Sequence, residues 1–284
     1  MRIVGSMTTL PDRINHLNLI LNSIITQRRK LDKFYLNIPY KSLKNKEYII
    51  PEYIKENKEI TIVRCKDYGP LTKLIPVLDI ETDENTYIIT FDDDRIVNRN
   101  VTSIIERKIN EYPNCALSFS GWCVGYFPFY FQSIKDNTED LEVDWIQGCH
   151  TITYKRDMID KEDLLNFQMK NMSKYIFRHD DHRIAIHLNK RGVKRICIGK
   201  KADLYFKETN NSRIEPISGG NSILKVIEFF YQVAMISMKL KSMNIYKRHH
   251  SISDSYIVKK ISTILLSCLI ILAIVIFYKK IEFF

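Results

Sequence analysis

Glycine and proline are scarce in this 284-residue chain. Nine glycines and eight prolines exclude collagen-like and Gly/Pro-rich low-complexity material. The six cysteines, Cys65, Cys115, Cys123, Cys149, Cys197 and Cys268, include no CxxC pair. That argues against a zinc ribbon or a thioredoxin-type redox motif, and the thiols read as those of a reduced cytosolic protein. The opening residues, MRIVGSMTTLPDR, hold no long apolar core and do not read as a secretory signal. No internal repeat is present. What is present is a 45% hydrophobic composition, ample for a packed core. The length fits one large domain or two small ones. A net charge of +10 points to an anionic partner: nucleic acid, a phosphorylated substrate or a membrane surface.

The position of the charge narrows that choice. Residues Ile261 to Tyr278, ISTILLSCLIILAIVIFY, carry no charge. As a helix they would extend roughly 27 Å, close to the ~30 Å hydrocarbon core of a bilayer. Lys259 and Lys260 flank one end, and Lys279 and Lys280 the other, where lysines can snorkel to both interfaces. Six basic residues against the single Asp254 precede the run, from Lys239 to Lys260, and such clusters attract anionic lipids. About half of the basicity is therefore beside the apolar run, and residues 1–238 keep only +4. The expected organisation is a domain over 1–220, an amphipathic helix and basic neck over 221–258, and a C-terminal transmembrane anchor over 259–284. A single-pass membrane protein with a cytosolic domain follows, with membrane lipids as a partner and nucleic acid not expected.

Within the domain, strand-like segments alternate with helical ones. Arg2 to Thr9, Phe34 to Ile38, Ile60 to Val63, Tyr87 to Phe91, Ala116 to Phe119 and Val193 to Ile198 read as strands, and Trp145 to Tyr154 as one extended segment. Helical spacing marks Ile14 to Gln27, Val101 to Ile109, Asp180 to Lys190 and Ile223 to Met243. The alternation predicts an α/β domain with a largely parallel, three-layer sheet. Phe127 to Glu142 and Glu208 to Gly220 read as irregular.

Asp92-Asp93-Asp94 follows the apolar strand YIITF directly. Ligands of α/β sheets bind at the carboxyl ends of strands. Three adjacent carboxylates there repel one another and require a compensating cation. Hard oxygen donors suit Mn²⁺ or Mg²⁺, and Mg²⁺ commonly adds substrate phosphates to one or two carboxylates. The cluster thus asks for a divalent metal and a diphosphate.

Several ordered pieces together resemble the glycosyltransferases of the GT-A fold, near family 2. They are SMTTLPDRINHLNLILNSIITQ, DYGPLTKLIP (Asp67 to Pro76), ITFDDD, WIQGCHTITYKR (Trp145 to Arg156) and RHDDHRIAIHLNKRGVK (Arg178 to Lys194). Their order covers roughly residues 1–215. The resemblance implies a metal-dependent transfer of sugar from a UDP- or GDP-sugar donor to an acceptor hydroxyl, with inversion; the apolar run places it at a membrane surface. Asp92 and Asp94 would hold Mn²⁺ or Mg²⁺, and Asp93 would contact ribose or metal. Thr8, Thr9, Arg13, Asp67, Gly69 and Lys73 would lie along the donor, with Lys73 on phosphate. Asp181 or Asp180 would be the general base, the second position being the family's usual one. His179 precedes the pair, where many relatives carry Glu or a small residue.

Trp145 and Gly148 would lie on the acceptor side, with Trp145 a candidate sugar platform. The acceptor is unassigned; the anchor suggests a lipid-linked or membrane-protein one. The aromatic stretch Tyr126 to Phe131 could line an acceptor groove or touch the membrane. Competing readings are a nucleotidyltransferase with the same metal-diphosphate site and a non-catalytic membrane-anchored protein with a decayed transferase fold. An HD-type phosphohydrolase built on His150, His179, Asp180 and Asp203 would be all-helical, against the β-rich first half.

Overall fold

The computed structural model describes residues 1–124, 131–166 and 180–214. The expected helix over 223–243, the apolar run 261–278, His179 and the aromatic residues 126–130 lie outside the described residues. No described helix is long and apolar enough to cross a membrane.

The first half alternates regularly. Strand β1 (Ile3–Thr8) leads through α1 (Asn18–Ile25) to β2 (Lys33–Pro39), then through the short α2 (Glu52–Lys55) to β3 (Thr61–Cys65). Helix α3 (Ile75–Ile80) precedes β4 (Tyr87–Phe91) and a short β5 (Arg95–Val97). Helix α4 (Val101–Glu111) returns the chain to β6 (Cys115–Ser118). The second half is more broken: β7 (Gly121–Val124), β8 (Phe131–Ile134), β9 (Leu141–Glu142), β10 (Trp145–Ile146) and β11 (Ile152–Lys155). Helices α5 (Lys161–Leu165) and α6 (Asp180–Lys190), then β12 (Lys194–Cys197) and β13 (Phe206–Glu208), complete the described chain.

Eight strands form the main sheet in the order β3-β2-β1-β4-β11-β6-β12-β9. The pairs β3/β2, β2/β1, β1/β4 and β6/β12 are parallel. Strand β11 runs antiparallel to both β4 and β6, and β9 antiparallel to β12. The sheet is thus mostly parallel, as expected, with a reversed strand inside it.

The period of two along each strand sorts the core into two layers. Ile3 and Met7 of β1, Phe34, Leu36 and Ile38 of β2, and Ile89 and Phe91 of β4 pack with α1 and α4 on one face. Val4, Tyr35 and Ile88, from the alternate positions, pack on the other face with α3, α5 and α6. Strand β4 is buried throughout because both of its faces are covered. This three-layer arrangement resembles the GT-A fold, and it contradicts the all-helical HD reading.

The extended segment expected from Trp145 to Tyr154 is in fact two strands separated by a turn over Gly148–His150, with Thr151 at φ 62°. Phe127 to Glu142, expected to be irregular, contributes β8 and β9. Both strands are too short for alternation to mark them in sequence.

Candidate active site

A cavity of about 790 Å³ opens at the carboxyl ends of β1 and β4. One wall is the acidic strand end, and the opposite wall is the first turn of α6. Thr8, Thr9, Arg13, Asp67, Gly69, Lys73, Asp92, Asp93, Asp94, Gly148, Asp180 and Asp181 all line it.

The three consecutive aspartates have three different environments. Asp93 is buried and fully engaged: Arg13 Nη1 donates to its Oδ1 at 2.7 Å, and Thr9 Oγ1 to its Oδ2 at 2.7 Å. Arg13 Nε in turn donates to the carbonyl of Ile214 at 2.7 Å. Asp93 therefore ties the loop after β1 to the end of β4 through both of its oxygens. Asp92 accepts from Lys73 Nζ at 2.8 Å. Desolvation opposes its ionisation, but the Lys73 charge and hydrogen bond prevail and hold its carboxyl below the usual carboxylate range. The cation nearest Asp94 among the described residues stands further off, with Arg95 Nε at 3.9 Å. Desolvation, then repulsion from Asp92 and Asp93, raise the Asp94 carboxyl to about 6.

A cation would relieve that repulsion, and hard carboxylate oxygens match Mn²⁺ or Mg²⁺. Asp94 and the remaining oxygen of Asp92 fit such an ion. Among the described residues no group of three His, Cys, Asp or Glu side chains could cage one alone. The other ligands would be water or substrate phosphate.

Lys73 joins the two walls. It closes the turn Gly69–Lys73 that leads into α3. Asp67 builds this turn: its Oδ1 accepts from the Gly69 N–H at 2.7 Å, and its Oδ2 from the Leu43 N–H at 2.8 Å. Gly69 has φ 63°, a conformation that disfavours any side chain. The Lys73 side chain is only 7% exposed. Its ammonium lies 2.8 Å from Asp92 and 3.1 Å from Asp180. Burial alone would discharge it, but Asp180, Asp92 and Asp181 outweigh burial and keep it charged. Lys73 thus stands in the cavity at the donor end expected of it, with two carboxylates as its protein partners.

Asp180 and Asp181 occupy the first turn of α6, where a helix N-terminus favours negative charge. The Gly148 N–H donates to Asp181 Oδ1 at 2.9 Å. Desolvation first, and the neighbouring Asp180 charge second, push the Asp181 carboxyl well up, the condition of a general base poised near neutral pH. A β-carbon at Gly148 would lie 3.0 Å from both Asp181 Oδ1 and Lys73 Nζ. Gly148→Ala is therefore expected to keep the fold but displace one of these groups, lowering kcat by about 10²-fold. Steady-state kinetics beside a thermal melt test this, and an unchanged kcat would contradict it.

Trp145 departs from its expected place. It is 5% exposed, stacks on Trp122 at 5.9 Å and meets the His182 ring at 5.2 Å. It is not among the residues that line the cavity, because β10 turns it into packing against α6. Further lining residues gave no signal in the sequence. Ser42, Leu43, Lys44 and Tyr48 come from the loop after β2, and Glu208, Ser212 and Arg213 from the end of the chain's described part. The latter segment is clamped to the acidic loop: the Thr209 N–H donates to the Asp94 carbonyl at 2.9 Å, and Asn211 Nδ2 to that of Asp93 at 2.9 Å. Cys149 also lines the cavity; burial pushes its thiol up to about 12, so it stays protonated.

No family model matches the chain, and no curated protein matches it. Solved structures do share its fold. S. aureus TarS 1–349 in complex with UDP-GlcNAc is similar at TM-score 0.50 and 11% identity, covering 88% of this chain and 68% of that one. S. aureus TarS 1–349 alone gives 0.46 and 11%, covering 77% and 63%. The chain thus spans 63% of the length of the second of these and 68% of the first. The likeness establishes a shared fold, the one that the resemblance to GT-A glycosyltransferases implies.

Proposed function

We propose that this protein is a metal-dependent glycosyltransferase that moves a sugar from a nucleotide-sugar donor to an acceptor hydroxyl, with inversion, at a membrane surface. The observation that carries the reading is a single cavity holding an acidic strand end on one wall and a raised carboxylate on the other, bridged by a buried lysine. The S. aureus TarS structure that holds UDP-GlcNAc shares the fold, which supports a nucleotide-sugar, and a UDP-sugar first among them, as donor.

Each group has its own task. Thr8, Thr9 and the Asp67–Gly69 turn line the donor end of the cavity. Arg13, fixed by Asp93, holds that end in shape. Mn²⁺ or Mg²⁺ at Asp92 and Asp94 would neutralise the leaving diphosphate. Asp181, oriented by the Gly148 N–H, takes the proton from the attacking hydroxyl. Lys73 limits repulsion between the two walls while both are ionised. The acceptor is lipid-linked or a membrane protein if the apolar run 261–278 anchors the chain.

A thermal-shift screen of UDP- and GDP-sugars with Mn²⁺ tests this first. A cognate donor at 100 times its dissociation constant is expected to stabilise by about 2.7 kcal/mol. Asp92→Ala should remove both the shift and donor hydrolysis. If the wild type neither binds nor hydrolyses any of these donors with Mn²⁺, the transferase reading falls.

A further inference from the structure

The loop after β2 does more than close the cavity. The Ser42 N–H donates to the Lys46 carbonyl at 2.9 Å, and the Asn45 N–H to the Ser42 carbonyl at 2.7 Å. The Lys46 N–H donates to Ser42 Oγ at 3.0 Å, and Asn45 takes φ 61°. This tight turn is pinned to the sheet edge through Asp67 and through the Tyr40 N–H, which donates to the Cys65 carbonyl at 2.9 Å. It is a fixed projection.

Its chemistry is unusual for a solvated turn. Leu43 is 63% exposed, Tyr40 64% and Ile49 82%, among the largest exposures of apolar side chains in the described residues. Around them stand Lys41, Lys44 and Lys46, with Arg64 on the adjoining edge strand and Lys66 just after it, all exposed. Arg64 lies over the Tyr40 ring at 5.4 Å. The nearby acids are fewer: Asp12, which pairs with Lys46; Glu47, 4.0 Å from Lys41; and Asp67. Apolar and aromatic tips ringed by lysines suit the boundary between headgroups and acyl chains, where the tips insert and the lysines meet lipid phosphates. The same chain carries the uncharged 18-residue run 261–278 with lysine pairs at both ends.

We infer that Tyr40, Leu43 and Ile49, with Lys41 and Lys44, form a docking surface for an anionic bilayer. Leu43 and Lys44 also line the cavity, so docking would set its mouth against the lipid. Resting on the transferase reading, this identifies the acceptor class as one presented from the membrane.

Hydrogen exchange on the full chain, reconstituted in phosphatidylglycerol or in phosphatidylcholine vesicles without substrate, tests the surface independently of catalysis. Amides of residues 40–50 are expected to exchange several-fold more slowly in the anionic vesicles. Lys41→Glu/Lys44→Glu should remove most of that protection, at about fivefold per lysine lost. Amides of β1 and β4, unchanged in the same spectra, certify the fold of the variant. Equal exchange in both lipids overturns the proposal. So does protection that appears without lipid and grows with protein concentration, which would mark an interface between copies. A chain that docks but transfers no sugar would leave this surface standing and sink only the transferase reading.

Discussion

Asp181→Asn is expected to abolish transfer while leaving the protein folded and able to bind donor. General-base removal costs about 10²–10⁴-fold in rate, and the amide keeps the shape of the carboxylate. The substituted side chain could still accept the Gly148 N–H through its amide oxygen, so the turn before β11 should stay in place. The wild-type rate should rise with pH toward about 8, because desolvation and the Asp180 charge raise the Asp181 carboxyl to about 8 and a base must be ionised to act. Acidification protonates Asp181 and therefore lowers kcat/KM. Asp180→Asn deletes the like charge, so the acidic limb should move to lower pH. A limb that does not move, or an Asp181→Asn enzyme of normal rate, would remove Asp181 from the base role. NMR of the first-formed product provides a separate check, since a retained anomeric configuration is incompatible with direct attack assisted by one base.

Lys73→Met is expected to be the most destabilising change in the cavity. Its ammonium is buried between Asp92 at 2.8 Å and Asp180 at 3.1 Å. Removing one partner of a buried ion pair costs about 3–5 kcal/mol, and here the stranded charge is mainly that of Asp180, whose side chain is 8% exposed. For a domain of this size that lowers the melting temperature by roughly 10 °C. The pairing also predicts a rescue. Lys73→Met/Asp180→Asn should recover part of the loss, since the second change removes one stranded carboxylate. A Lys73→Met protein that melts within a degree or two of wild type would show that the lysine is not the bridge between the walls.

The acidic end of β4 is legible in the sequence because carboxylates directly after a mostly apolar strand sit where a sheet of this class presents its ligand edge. Helix α6 is legible for the same kind of reason: its helical spacing and its leading acids agree, and Gly192, at φ 68°, follows its end. Lys73 shows the limit. Its presence near the donor end can be read, but its two carboxylate partners come from β4 and α6, and nothing local to DYGPLTKLIP encodes them. Asp67 does line the cavity, yet its oxygens are used to build a turn and hold a neighbouring loop. Trp145 shows the same limit, because a lone aromatic looks the same in sequence whether it lines a cavity or packs against a histidine of α6. The segment Glu208 to Arg213 is invisible in the sequence because it reaches the main chain of Asp93 and Asp94, and such contacts leave no composition signal.

The reversal of β11 has a consequence for how the two halves of the cavity meet. A strand parallel to β4 would begin beside Tyr87, at the far edge of the sheet. Because β11 runs the other way, it begins with Ile152 opposite Thr90 and ends with Lys155 opposite Tyr87. Three residues of strand are about 10 Å, so direction alone decides at which edge the preceding turn enters. Gly148 is delivered next to Lys73 and Asp181 by chain polarity. An inserted or deleted residue in the turn would shift register and turn the β11 side chains to the opposite face. Reversing the strand would remove the turn from the cavity altogether, with every side chain around it unchanged.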